Sequence, residues 1–148
     1  MGGTVTGWLY RISDRLRAAA RNRVWPADKA LGRRAEDLAH RYLRSRGLKV
    51  VARNYRPARG HGEIDLVAWH GETLVFVEVK ARSTAEFGDP DRAIGREKRI
   101  ALIRTAFEYA RRAGVPPQQV RFDVVNIVFS GSAPVEWLQG AFRPGSVM

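Results

Sequence analysis

Asp65, Glu78 and Lys80 stand where a strand pattern calls for apolar residues. Gly62-Glu63-Ile64-Asp65-Leu66-Val67-Ala68-Trp69 is followed, after a short break, by Leu74-Val75-Phe76-Val77-Glu78-Val79-Lys80, which reads as a β-hairpin. Charged groups in such strands lose hydration unless they pair, hold a metal or do chemistry. Alternation puts Leu74, Phe76, Glu78 and Lys80 on one face and Val75, Val77 and Val79 on the other. A two-residue turn at His70-Gly71 pairs Trp69 with Glu72 and sets Asp65 opposite Phe76, on the face of Glu78. The two acids are then diagonal neighbours, roughly 7 Å apart at the backbone. A three-residue loop without a bulge would separate them.

Two converging carboxylates in a partly desolvated place repel, and a proton or a cation must resolve the conflict. Oxygen ligands with open positions suit Mg²⁺ or Mn²⁺, which keep waters and take phosphate oxygens. The expected metal ligands are Asp65, Glu78 and the Val79 carbonyl. Lys80 could orient or deprotonate an attacking water and offset charge on phosphorus. That chemistry is phosphodiester hydrolysis. The alternative is a buried salt bridge between Lys80 and Asp65 or Glu78.

The elements that must hold these groups follow from periodicity. A helix starts at Pro26 and Asp28, carries Leu31, Ala35, Leu38, Ala39, Tyr42 and Leu43 on one stripe, and stops at Gly47. At ~100° per residue Glu36 falls at the margin of that stripe, from which a carboxylate can reach the sheet end. Lys49 to Tyr55 reads as a strand and 56–61 as a loop. After the hairpin, a break at Ser83 to Pro90 precedes a helix whose core face is Ile100, Ile103, Ala106, Phe107 and Ala110, ended by Gly114 and Pro116-Pro117. Val120 to Phe129 is a long β run, and Val135 to Leu138 a short last strand. This order, αβββαβ with the added strand, implies an α/β fold with a mixed sheet flanked by helices.

The chain of 148 residues is long enough for one domain with its own core. Residues 1–25 read as a basic amphipathic or flexible extension, with Trp8, Leu9, Ile12 and Leu16 at helical spacing; residues 26–148 form the domain. There are no cysteines, no run long enough to span a membrane and no signal-peptide core, so a cytoplasmic protein is expected. Lys and Arg number 26 against 15 Asp and Glu, a net charge of +11, and such a field favours polyanions. His40, His61 and His70 lack metal-ligand spacing.

Gly62-Glu63-Ile64-Asp65-Leu66 with Val77-Glu78-Val79-Lys80-Ala81-Arg82 resembles the PD-(D/E)xK nuclease superfamily and, more closely, the YraN-type bacterial family of predicted endonucleases. Gly32-Arg33-Arg34-Ala35-Glu36-Asp37-Leu38-Ala39, Arg53-Asn54-Tyr55-Arg56 and Arg121-Phe122-Asp123-Val124-Val125 are similar to that family's other signatures. The resemblance runs from about Leu31 to Phe142. It implies a restriction-endonuclease-like core, with Asp65, Glu78 and Lys80 as the active-site set and Glu36 as the helix carboxylate. Lys98 matches a basic helix position near substrate. Two departures are the N-terminal extension and Trp137, which stands where such proteins often carry a His.

The expected function is therefore Mg²⁺- or Mn²⁺-dependent cleavage of nucleic acid, DNA ahead of RNA. Arg56, Arg82, Lys98 and Arg99 are the candidates for phosphate contacts, with a solvated basic surface as the alternative. The rival reading is a non-catalytic nucleic-acid-binding or DNA-repair accessory protein, and a weaker third is an interaction module anchored through the N-terminal helix. A homodimer would present two sites to two strands, although nothing in the sequence singles out an interface.

Overall fold

The apolar stripe of the first helix produces α1, Pro26–Ser45, and buries Ala35, Ala39 and Leu43. The helix ends in a glycine-closed turn: Gly47, at φ 93°, donates to Arg44 O, and Leu48 N–H returns to Leu43 O, both at 3.0 Å. The computed structural model describes residues 26–60, 62–82, 95–129 and 135–144. The N-terminal extension, His61 and the break expected at Ser83 to Pro90 lie outside these described residues.

The strands that follow are β1 (Lys49–Tyr55), β2 (Ile64–His70), β3 (Thr73–Arg82), β4 (Val120–Val128) and β5 (Val135–Phe142), with helix α2 (Arg96–Ala113) between β3 and β4. They form one sheet in the order β1-β2-β3-β4-β5. Neighbours are antiparallel except β3 and β4, which are parallel because α2 carries the chain back across the sheet. The fold is α/β, with a mixed sheet and a helix on each face. The last strand is fuller than the apolar run alone suggested, since Phe122 pairs with Phe142 beyond an irregularity in the ladder.

Both faces of the sheet are covered, as the two-sided apolar pattern of β3 requires. Leu66, Ala68, Val75, Val77, Val79, Val125 and Ile127 pack with α1, while Leu74, Phe76, Phe122, Val124 and Phe142 pack with α2. Helix α2 buries Leu102, Ile103, Thr105, Ala106 and Ala110, and Ile100 and Phe107 are only partly buried. The helix is thus rotated slightly from the expected face, so that Thr105 comes against Gly62. No helix among the described residues is long and apolar enough to cross a membrane.

The hairpin turn is Gly71-Glu72, not His70-Gly71. His70 pairs with Thr73, Trp69 with Leu74, Val67 with Phe76 and Leu66 with Val77. Gly71, at φ 64°, occupies the first turn position, where a type II′ turn calls for glycine. The loop is still two residues long. The slide by one position places Asp65 in line with Glu78 instead of opposite Phe76.

Candidate active site

Strand β2 parts from β3 after Leu66↔Val77, and the gap is where the chemistry-bearing groups collect. Ile64 packs on the α2 side and Leu66 on the α1 side, so simple alternation breaks at Asp65. Instead of facing either core, Asp65 accepts a hydrogen bond through Oδ2 from Val79 N at 2.8 Å. The adjoining pairs Arg53↔Leu66 and Tyr55↔Ile64 put Asn54 across from Asp65 on the other side. Asn54, Asp65 and Glu78 therefore form a row across β1, β2 and β3.

Glu36 reaches this row from α1. Asn54 Nδ2 donates to both of its oxygens, at 3.2 and 3.3 Å, and Arg53 Nη2 lies 3.5 Å from Oε1. Asn54 takes a left-handed conformation, φ 51°, which asparagine tolerates better than most side chains. Burial raises the Glu36 carboxyl above its usual range, opposed by Asn54 and Arg53 and reinforced by Glu78. Asp65 is pushed well up, first by burial and then by the charges of Glu78, Glu36 and Glu63. The acids feel one another. Yet among the described residues no three Asp, Glu or His side chains close tightly enough to hold a metal by themselves. Asp65 feels Glu78 more than Glu36, and Glu36 is held by Asn54 and Arg53.

Glu78 is almost wholly buried and pairs with Lys98, whose Nζ stands 2.8 Å from Oε2. The alternative reading gave the acids a buried salt bridge to Lys80; on Glu78 it is helix α2 that supplies an ammonium, that of Lys98. Burial brings the Lys98 ammonium down to about 7, against the pull of Glu78 and with the push of Lys80. Lys80 is half-buried on β3 and close enough to Lys98 for that repulsion. Asp65 Oδ1 and Glu78 Oε1 are buried and accept no hydrogen bond. Two such carboxylate oxygens, from residues in line on adjacent strands, fit a hard divalent cation that retains waters. Val79 lies between Glu78 and Lys80 in sequence and is paired with Val125.

The basic residues divide into committed and uncommitted groups. Arg56 Nη2 lies 3.7 Å from the fully buried Glu63, and Arg53 pairs with Glu36 and Asp37. Arg82, at the end of β3, and Arg99, in the first turn of α2, have buried Nε atoms without a hydrogen-bond partner. Arg99 also lies over the Phe142 ring at 5.7 Å. Sequence reasoning assigned no role to Asn54 or Glu63. The Asn within Arg53-Asn54-Tyr55-Arg56 was the one usable signal, since asparagine favours left-handed positions.

Asp123, opposite Val77 on β4, belongs to a different cluster. It accepts from Arg121 Nε and Nη2 at 2.9 Å, Trp137 Nε1 at 2.8 Å and Gly140 N at 2.9 Å. Arg121 Nη2 is also 3.0 Å from His70 Nδ1. These bonds tie β4 to β5 across the ladder irregularity. Trp137 thus has a structural task, as an indole donor to a buried carboxylate. His40, one turn along α1 from Glu36, is held below the usual imidazole range by burial and by Arg53 and Arg44.

A family model described as uncharacterised protein family UPF0102 matches residues 35–127. The match covers more than half of the chain. The chain belongs to family UPF0102. The matched span of this UPF0102 protein contains Glu36, Asn54, Asp65, Glu78, Lys80, Lys98 and Asp123. It is 54% identical over 136 residues to a UPF0102 protein of Solibacter usitatus, covering 92% of this chain and 98% of that one. A UPF0102 protein of Methylobacillus flagellatus is 47% identical over 114 residues, covering 77% and 97%. One from Aeromonas hydrophila is 42% identical over 121 residues, covering 80% and 89%. The Solibacter match is longer than 26–148 and so takes in part of the N-terminal extension. The YraN-type resemblance holds at the level of the family.

Proposed function

We propose that this UPF0102 protein is a divalent-metal-dependent phosphodiesterase of the PD-(D/E)xK type, acting on nucleic acid and on DNA ahead of RNA. The observation that carries the reading is the pair of buried carboxylate oxygens, Asp65 Oδ1 and Glu78 Oε1, which accept no hydrogen bond at the parted end of β2 and β3. Such groups are costly to bury unless a ligand satisfies them. Asp65, Glu78 and the Val79 carbonyl would hold Mg²⁺ or Mn²⁺, which when bound supplies Lewis-acid charge and an activated water. Glu36 adds negative charge and fixes Asn54. Lys80 holds positive charge beside the acids, placed to orient the nucleophile or offset charge on the phosphate. Arg82 and Arg99 offer uncommitted guanidinium donors for backbone phosphates, and the net charge of +11 supplies the attracting field.

The deciding experiment is a cleavage assay with Mg²⁺ and Mn²⁺ on duplex, single-stranded and branched DNA and on RNA. Wild-type protein should cut at least one form. Asp65→Ala and Glu78→Ala should abolish cutting while binding nucleic acid as tightly or more tightly when divalent cations are left out, because each removes negative charge from a phosphate site. Lys80→Ala should stop cutting with a small loss of binding.

A second reading, a non-catalytic nucleic-acid-binding or repair accessory protein, is favoured by the Lys98–Glu78 contact, which already neutralises one of the acids. Tight binding without cleavage of any substrate by any divalent metal would select it.

A further inference from the structure

We propose that Lys98 is the resident counter-cation of the Asp65–Glu78 site, holding on Glu78 the place of a divalent ion and passing to a substrate phosphate when that ion enters. The inference rests on the phosphodiesterase reading above and adds to it an order of events and a coupling between metal and nucleic acid.

The geometry is specific. Lys98 Nζ is 2.8 Å from Glu78 Oε2, with the two side chains only 10% and 2% exposed. A buried Lys–Glu contact is ordinarily a structural pair, and as such it should satisfy its carboxylate. This one leaves Glu78 Oε1 and Asp65 Oδ1 without hydrogen bonds. A single ammonium thus serves two acids incompletely, where an ion of higher charge could serve both. Lys98 projects from the start of α2, and its four-carbon stem lets the ammonium swing without moving the helix. A fixed guanidinium could not do this as readily.

Electrostatics give the exchange a direction. Lys80 already opposes Lys98 within the site. Bringing in a doubly charged ion while both ammoniums remain would set three cations together, so the mobile one must leave. Arg99, the next residue on α2, and Arg82, at the end of β3, each carry a buried Nε with no hydrogen-bond partner. A nucleic-acid phosphate bound to these arginines gives the displaced ammonium a partner. Metal and nucleic acid therefore bind cooperatively: without the phosphate, Lys98 competes with the metal, and with it the competition is relieved. By linkage the metal must strengthen nucleic-acid binding by the same factor.

The test is Mn²⁺ binding to the full chain, measured by calorimetry or by electron paramagnetic resonance. A non-cleavable phosphorothioate duplex should tighten Mn²⁺ binding to the wild type. Lys98→Gln should bind Mn²⁺ about tenfold more tightly than wild type without DNA, and should lose most of the enhancement by DNA. A merely structural lysine would give no gain in metal affinity. Because Lys98→Gln strands a buried carboxylate and could unfold, a wild-type measurement accompanies it: acetic anhydride labelling of Lys98, mapped by mass spectrometry, should accelerate several-fold when Mn²⁺ is added. Unchanged or weaker Mn²⁺ affinity in a folded Lys98→Gln, or labelling indifferent to Mn²⁺, overturns the proposal. An Asp65→Asn control separates the two readings. If it weakens Mn²⁺ binding while Lys98→Gln does not strengthen it, the metal site stands and the exchange falls. If Asp65→Asn leaves Mn²⁺ binding unchanged, the metal site falls and the exchange with it.

Discussion

Asp65 Oδ2 accepts the backbone N–H of Val79 at 2.8 Å, across the point where β2 leaves β3. One carboxylate therefore closes the end of the ladder and, through its other oxygen, stands unpartnered beside Glu78. Its fold-holding role needs an acceptor, whereas its proposed chemical role needs a charge. The two can be separated by substitution.

Asp65→Asn keeps an oxygen for Val79 N–H and removes the charge that burial and Glu78, Glu36 and Glu63 oppose. Without divalent cations it should stabilise the protein by about 0.5–2 kcal/mol at neutral pH. The sign follows from linkage. A raised folded-state carboxyl means that the folded protein binds more protons as pH climbs from the ordinary value of 3.8, so wild-type stability falls through that window. The advantage of Asn should vanish at lower pH, where Asp65 is protonated in both states. Urea melts at several pH values would show it, and a lower midpoint for Asp65→Asn at pH 7 would refute the argument.

Gly62 precedes the acids and has no room for a side chain. Its φ is 131°, and a Cβ there would collide with Thr105 Oγ1. Gly62→Ala should cost about 2 kcal/mol or more, from backbone strain and from pushing α2 away from β2. Because α2 carries Lys98 and Arg99, activity should drop further than stability does. Denaturation midpoints and cleavage rates measured below the melting range would separate the two effects.

The Asp123 cluster is expected to matter for stability alone. Asp123→Ala strands the Arg121 guanidinium, the Trp137 indole N–H and the Gly140 amide around a buried position. A loss of about 3–5 kcal/mol is expected, as for one partner removed from a buried ion pair. Any folded fraction should keep wild-type metal affinity. Loss of Mn²⁺ binding by folded Asp123→Ala would place this cluster in the site instead.

Arginine substitutions should sort by commitment. Arg82→Ala and Arg99→Ala should each weaken nucleic-acid binding and reduce the log–log salt slope by about one. Arg56→Ala should instead lower stability, because it removes a cation 3.7 Å from the fully buried Glu63. Titrations at several salt concentrations, set beside thermal melts, give both readouts. An unchanged melt for Arg56→Ala with a reduced salt slope would return Arg56 to the phosphate contacts.

The sequence alone determined the elements, because they depend on short-range stereochemistry. Helical spacing of Ala35, Ala39 and Leu43, the stops at Gly47 and Gly114, and the two-sided apolar run of β3 all place residues relative to near neighbours along the chain. Charges inside apolar strands likewise marked Asp65, Glu78 and Lys80, because burial cost is a property of residue type and pattern. Register was legible only in part: any two-residue turn preserves parity, so turns at His70-Gly71 and Gly71-Glu72 differ by one slide that alternation cannot detect. The parting of β2 from β3 at Asp65 has no local signature. Partner choice belonged to the tertiary structure alone. Lys98 meets Glu78 because α2 crosses back over the sheet, Asn54 meets Glu36 because β1 flanks β2 beneath α1, and Trp137 meets Asp123 because β5 pairs with β4. Each depends on how separate elements pack, and that is fixed by the collective burial of the two apolar faces rather than by any stretch of neighbouring residues.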